Sequence, residues 1–377
     1  MIYKDFKNLK LSSLGMGAMR LPATGSEWGA PIKEAEAEKM VDYAIENGIN
    51  YFDTAWGYHG GKSEVVLGRA LSKYPREKWF LADKFPGYDL SNMDKVETIF
   101  DEQLKKCRVT YFDFYMFHNV CEINIDAYLD KKYRILDYLL KQKEAGVIRH
   151  LGFSTHGSLE VIKRFLDAYG SKMEFCQIQL NYIDWTFQNA KEKVDLLNAH
   201  NIPIWVMEPM RGGKLPSLSE ENSSKLKTLR PYETIPAWAF RFIQAIPNVI
   251  ITLTGASTLE QLQDNINVYQ KEKPLSKPEI DTLLSIAKEM LQKATLPCTA
   301  CGYCLEYCTQ QLDIPHLLNL YNEHCFTGGG FLAPMVVGTL PEEKRPKSCT
   351  ACKKCEEVCP QQIKISNAMA DFVTKLG

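Results

Sequence analysis

The sequence has almost no net charge, with 45 Lys and Arg against 46 Asp and Glu. No basic field is available to hold nucleic acid or an anionic lipid surface, so neither is expected as a partner. It also lacks any apolar run near the ~20 residues that a bilayer crossing requires, which removes the membrane as a site of insertion. The opening Met1-Ile-Tyr-Lys-Asp-Phe-Lys carries no apolar core behind its charges. An export signal is therefore not expected, and a reducing, cytoplasmic location is. A glycine-rich dinucleotide turn is missing too. Gly15-Met16-Gly17-Ala18 is too short for that fingerprint and no helix follows it promptly. What remains is the composition of a soluble globular enzyme, 45% hydrophobic and 24% charged. At 377 residues it is long enough for two domains and a large core.

Cysteine is not scarce. Of twelve, eight fall in two copies of one spacing, C-x2-C-x2-C-x3-C: Cys298, Cys301, Cys304, Cys308, then Cys349, Cys352, Cys355, Cys359. A tight loop brings three such thiolates round three corners of an iron–sulfur cube. The fourth, at the start of a departing helix, ligates the other cube in two-cluster proteins. The spacing thus predicts one [4Fe-4S] cluster on Cys298, Cys301, Cys304 and Cys359, and a second on Cys349, Cys352, Cys355 and Cys308. Zinc has no use for the crowded third cysteine of each run, and disulfides need an exported chain. Pro360 follows the second run as usual, whereas Thr309 stands in its place after the first. The forty-residue insert and the helical patterns at Ile314 to Tyr321 and Ile365 to Phe372 resemble the mainly helical two-cluster ferredoxin modules fused to anaerobic oxidoreductases. Cys325, outside both runs, reads as an ordinary thiol.

Ahead of these runs, short β-branched or aromatic segments alternate with amphipathic ones. Strands are expected at Leu14–Gly17, Ile49–Asp53, Trp79–Lys84, Phe112–His118, Ile148–Ser154, Phe175–Asn181, Ile204–Met207 and Val249–Leu253. Helices are expected at Glu34–Asn47, Ser63–Ser72, Met93–Lys106, Arg134–Ala145, Leu159–Tyr169, Lys191–His200, Pro236–Gln244 and Leu259–Tyr269. Eight β-then-α units in about 270 residues fit an α/β fold of the closed (β/α)8 TIM-barrel type. The expected organisation is a barrel over 1–275, a connecting helix over 276–296, and the two-cluster domain over 297–377.

Chemistry in such barrels gathers at the C-terminal ends of the strands. Asp53, Lys84 and His118 close the second, third and fourth of them, and Tyr58 lies five residues past Asp53. Tyr58 is the expected proton donor, its pKa lowered toward neutrality by Lys84, which Asp53 ties down. His118 would orient the carbonyl or relay the proton. Glu64 and Lys62 are expected to cap the following helix. Arg20, just past the first strand, would meet a carboxylate or a phosphate at the mouth, or stand as a solvated surface residue.

The segment Asp53-Thr54-Ala55-Trp56-Gly57-Tyr58, with Lys84 and Phe117-His118, resembles the tetrad of the aldo-keto reductase family over roughly residues 1–275. That resemblance implies an eight-stranded barrel reducing a small carbonyl substrate by hydride transfer from NADPH or NADH. It also implies cofactor contacts. Ser154 in Gly152-Phe153-Ser154-Thr155, with Thr155 in place of the usual asparagine, and Gln177 would hold the carboxamide. Met207 stands where many members stack a tyrosine on the nicotinamide. Arg211, Gly212 and Gly213 would wrap the pyrophosphate with their amides and the Arg211 charge. Gly255, Ser257, Gln261 and Asn265 would line the adenosine site, Asn265 reading adenine. Gly255 and Gln261 stand where many relatives place basic residues for the 2′-phosphate, which leaves the choice between NADP and NAD open. A hydride carries two electrons and a cubane one, a mismatch that flavins usually bridge. The alternative expectation is therefore a flavin- or ferredoxin-linked reductase, with a ferredoxin or other electron carrier as partner.

Overall fold

The structure is a computed structural model that describes all residues except 26–29 and 216–217. It divides into two compact units, Met1–Thr282 and Leu283–Gly377. In the first, an antiparallel hairpin of β1 (Tyr3–Phe6) and β2 (Leu9–Ser12) precedes a closed, all-parallel barrel. The barrel strands are β3 (Leu14–Gly17), β4 (Tyr51–Asp53), β5 (Phe80–Phe85), β6 (Phe112–Val120), β7 (Ile148–Thr155), β8 (Cys176–Gln179), β9 (Ile204–Met207) and β10 (Val249–Thr254), with β10 closing on β3. The helices between them are α1 (Glu34–Glu46), α2 (Ser63–Leu71), α3 (Val96–Cys107), α4 (Ile125–Leu129), α5 (Ile135–Glu144), α6 (Leu159–Tyr169), α7 (Asp184–Phe187), α8 (Ala190–Ala199), α9 (Glu220–Leu229), α10 (Ile235–Gln244) and α11 (Leu259–Val268).

Local sequence explains these elements. β6, Phe-Asp-Phe-Tyr-Met-Phe-His-Asn-Val, is buried at every position but His118, because a parallel barrel strand is covered on both faces. α6 starts where the Ser158 hydroxyl accepts from the Val161 N–H, and Val161, Ile162, Phe165 and Leu166 form its buried stripe. Phe165 packs on Phe153 and Phe117, with ring centroids 4.7 and 5.3 Å away. Inside the barrel, Tyr51, Phe114, Phe175, Trp205 and Ile251 interdigitate.

The hairpin went unforeseen in the sequence because its two four-residue strands bury little beyond Phe6 and Leu11. Those two side chains fill the bottom of the barrel, Phe6 meeting Trp205 edge-on at 5.0 Å. Other boundaries differ by a few residues, and α4, α7 and α9 add helices where loops were expected.

The second unit is helical: the end of α12 (Lys277–Ala294), then α13 (Ile314–Thr327), α14 (Leu332–Thr339), α15 (Lys354–Glu357) and α16 (Ile365–Leu376). Leu317, Leu318, Ile363, Ile365 and Met369 make its core together with Cys304 and Cys355. Among the described residues, no helix is long and apolar enough to cross a membrane.

Glu174, just before β8, gathers Lys7 from the hairpin, Lys143 at 2.6 Å and His150 at 2.9 Å. Burial pushes its carboxyl up, but His150, Lys143 and Lys7 outweigh that and hold it well below the usual carboxylate range. Glu174→Gln is expected to cost roughly 1–3 kcal/mol at pH 7. A depressed folded-state pKa gives stability that is complete above the unfolded value of about 4.3 and lost progressively below it. Denaturant unfolding at pH 7 and pH 3 checks this. The gap between wild type and variant should narrow at pH 3, and an unchanged gap would contradict the assignment.

Candidate active site and cysteine hollows

Three adjacent strands in register deliver the central cluster. Asp53 pairs with Ala82 across β4 and β5, and Lys84 with Met116 across β5 and β6. Lys84 is fully buried, and its Nζ donates to Asp53 Oδ1 and to the Thr54 carbonyl, both at 2.6 Å. That ammonium lies 5.2 Å from the centre of the Tyr58 ring. The register slips between Phe117 and Val120, so His118 sits in an irregularity at the strand end, where such bulges re-aim side chains. Its ring stands edge-on to Tyr58 at 6.0 Å and to Tyr88 at 5.1 Å. The sequence brings all four expected residues to one place.

The electrostatics differ from expectation in one respect. Burial raises the Tyr58 pKa and outweighs the Lys84 charge that pulls it down, so the phenol lies above its ordinary value instead of nearer neutrality. It is therefore held protonated. Burial works against the Lys84 charge, yet Asp53, Tyr58 and Asp83 together raise its pKa. Burial, then the Lys84 charge, pushes His118 well below the ordinary histidine range, so it is neutral. Its Nδ1 is buried with no hydrogen-bond partner among the described residues.

Behind Lys84 lies a polar cluster that the sequence did not reveal. Gln103 Nε2 donates to Asp83 Oδ1 at 2.8 Å, to the Lys84 carbonyl at 3.0 Å and to Glu64 Oε1 at 3.1 Å. Tyr115 donates to Gln103 Oε1 at 2.6 Å, and Lys106 reaches Glu64 at 3.1 Å while lying 3.6 Å over the Trp56 ring. Burial and then the Glu64 charge push Asp83 well above the carboxylate range. Glu64 is thus a buried member of this network and not a helix cap, and Lys62, at the N-cap of α2, makes no side-chain cap hydrogen bond. The available signal was a glutamate and an aspartate in two segments facing one barrel layer.

The expected cofactor residues line the strand ends β7 to β10. Ser154 Oγ accepts from the Asn119 N–H at 2.9 Å, and the Thr155 hydroxyl is spent on the Val120 carbonyl at 2.6 Å. Gln177 Nε2 donates to Met207 Sδ at 3.7 Å, and its Oε1 is buried with no partner among the described residues. An orphaned acceptor of that kind fits a carboxamide N–H2. Asn265 donates to Thr254 Oγ1 at 2.8 Å, and Gln261 Oε1 takes the Ser257 N–H at 2.9 Å. Arg211 departs from expectation. Its side chain is buried and its Nε donates to both oxygens of Asp184, at 2.9 and 3.1 Å, so the charge expected on a pyrophosphate is neutralised inside the protein. The Arg211 and Gly213 amides are likewise engaged, with the Glu208 and Met210 carbonyls.

Asp184 anchors a chain missed in the sequence: Gln179 donates to it at 2.8 Å and Asn181 at 2.6 Å, while His156 Nδ1 lies 3.1 Å from Gln179 Oε1. Burial and then Lys193 push His156 down to about 4, so this ring too is neutral. Asn181 just after β8, accepting from the Ile183 and Asp184 N–H groups, was the readable sign of the turn that places Asp184.

In the second unit, a hollow of about 340 Å³ is lined by Cys308, Cys349, Cys352 and Cys355. Another of about 320 Å³ is lined by Cys298, Cys301, Cys304 and Cys359. Cys325 lines neither. The two loops share one backbone form. Ala300, Gly302 and Gln311 have positive φ, and so do Ala351, Lys353 and Gln362, each 51 residues on, as Cys349 is from Cys298. Left-handed alanine and lysine cost energy and persist where a site demands them. Burial first, then neighbouring thiols, push Cys304 up to about 11 and Cys355 up to about 12. The Leu312 N–H reaches Cys308 Sγ at 3.3 Å, and Thr309, standing where a proline was expected, lies 3.6 Å from Cys352 Sγ. Among the described residues, no three His, Cys, Asp or Glu side chains converge on a point where they would share one metal ion.

The model of the Aldo/keto reductase family matches residues 13–288. The uncharacterized oxidoreductase YqkF of Bacillus subtilis is 27% identical over 76% of this chain and 96% of its own length. The NADH-specific methylglyoxal reductase of Escherichia coli is 26% identical over 69% and 90%. In fold, the barrel is similar to the holo form of aldo-keto reductase AKR11C1 from Bacillus halodurans, with a TM-score of 0.61 at 24% identity over 76% and 96% of the two chains. The Klebsiella pneumoniae aldo-keto reductase in complex with NADPH gives a TM-score of 0.61 at 17% identity over 76% of this chain and 96% of that one. A family model spanning most of the chain, over a closed eight-stranded barrel, makes this protein an oxidoreductase that belongs to the aldo/keto reductase family.

Proposed function

We propose that the barrel reduces a small carbonyl compound with NADPH or NADH, with Tyr58 as proton donor, and that residues 297–377 carry two [4Fe-4S] clusters. The observation that carries the first part is the buried Lys84 ammonium between Asp53 and the Tyr58 ring. The nicotinamide supplies a hydride to the carbonyl carbon when bound. Tyr58, held protonated by partial removal from water, gives its proton to the carbonyl oxygen. The phenolate left behind is a poorly hydrated anion on a half-buried ring, and Lys84 provides the charge that makes it tolerable. His118, neutral and edge-on to Tyr58, orients the oxygen. Ser154 and the unpartnered Oε1 of Gln177 suit the carboxamide. The named activities of two relatives, an NADH-specific reductase and a protein bound to NADPH, support a nicotinamide without choosing between its forms.

For the second unit, the support is chemical. Four cysteines about each hollow, with matching left-handed kinks, suit a group that spreads its bonds over four irons. A single zinc ion would need ligands converging on one point. Such clusters supply one-electron transfer.

Tyr58→Phe is expected to lower kcat for carbonyl reduction roughly 10²–10⁴-fold with cluster absorbance intact. Wild-type turnover in that variant would remove the tetrad assignment. Because the Tyr58 pKa is raised, reduction should stay level with rising pH until beyond the ordinary tyrosine value of about 10. A rate falling already between pH 7 and 8 would argue for another donor. In anaerobically purified protein, Cys301→Ser should lose about half the iron measured by chelation. Iron equal to that of wild type would refute the ligand set.

A further inference from the structure

We propose that Arg20 holds the diphosphate bridge of the nicotinamide cofactor, and does so equally for the phosphorylated and unphosphorylated forms. The inference rests on the nicotinamide reading above and adds the residue that grips its charge. A dinucleotide brings two negative charges to its bridge, and a cleft that binds it must answer them. Arg211, the obvious candidate, is spent on Asp184 deep in the protein. Lys84 is buried against Asp53. Ser257 and Gln261 are neutral and bonded to each other.

Arg20 is different. It ends the turn that follows β3, it is exposed, and among the described residues it makes no hydrogen bond or ion pair. Two glycines fix where it reaches. A Cβ placed on Gly255, after β10, would lie 3.6 Å from Arg20 Cδ. A Cβ placed on Gly212, after β9, would lie 3.3 Å from its terminal Nη2. The stem therefore passes the β10 loop and the guanidinium ends against the β9 loop. Gly212 has φ +66°, a conformation that suits glycine, and the missing side chain leaves the guanidinium its space. A planar fork of N–H donors beside a glycine turn is suited to paired phosphate oxygens.

The head's position selects the bridge over the 2′-phosphate. The stretch from Gly255 to Asn265, which the family resemblance gives to the adenosine, contains no Lys or Arg and includes Glu260 and Asp264. A 2′-phosphate there meets no cation of that stretch, whereas the diphosphate is common to NAD and NADP.

The test is equilibrium binding to the full-length, cluster-loaded protein by tryptophan fluorescence, with NADP+, NAD+, ADP and adenosine as probes. Arg20→Met is expected to weaken NADP+, NAD+ and ADP by one common factor, roughly tenfold, and to leave adenosine unchanged. Arg20→Lys should recover part of the loss. Thermal unfolding of the variant at the wild-type temperature, expected for an exposed side chain, excludes misfolding. Weaker NADP+ with unchanged NAD+ would make Arg20 a reader of the 2′-phosphate and overturn the proposal. So would unchanged binding of all four probes. Wild-type protein that binds neither dinucleotide would instead overturn the nicotinamide reading itself.

Discussion

A lysine ammonium with no exposure to solvent organises the mouth of the barrel. Removing such an ion from water costs several kcal/mol, which only close, well-directed partners offset. Asp53 and the Thr54 carbonyl do so at 2.6 Å, and both sit on or beside the strand next to that of Lys84. Because the partners belong to hydrogen-bonded strands, their separation is fixed by the barrel and not by loops. Tyr58 and His118 are then placed in a field already set. Loss of Asp53 would leave a buried cation with half its support, so the pair is at once a structural and a chemical commitment.

The network behind that lysine extends the same logic. Asp83 and Glu64 share a dry pocket bridged by Gln103, and the elevated Asp83 carboxyl keeps that pocket from holding two full negative charges. Across the mouth, Asp184 plays the corresponding part for Arg211, linked through Gln179 to His156. Both neutral histidines, His118 and His156, thus accompany ion pairs already made, Lys84 with Asp53 and Arg211 with Asp184. Under the proposed function, a carbonyl compound would meet an environment of fixed dipoles, the setting in which electrostatic stabilisation is most effective.

Much of this was legible in the chain. Barrel strands announce themselves as short apolar runs, and three titratable residues fall at strand ends with Tyr58 in the loop that follows one of them, where barrels do their chemistry. The eight cysteines carry their own spacing. What the sequence could not convey were relations between distant segments. Phe6 and Leu11 plug the barrel from a hairpin too short to show a period. Arg211 looks like a phosphate ligand until Asp184, 27 residues earlier, is seen to hold it. The Tyr58 pKa depends on how far its half-buried ring is removed from water, and no local pattern encodes that.

The interleaving of the cysteines has one more consequence. Cys308 helps wall the hollow of the later run, and Cys359 that of the earlier one. Each loop therefore borrows its last side from the other, although both have the same backbone form. A break of the polypeptide anywhere between Cys308 and Cys349 divides both enclosures, and neither half keeps a complete one. Two copies of one motif thus make a pair that is complete only as a pair.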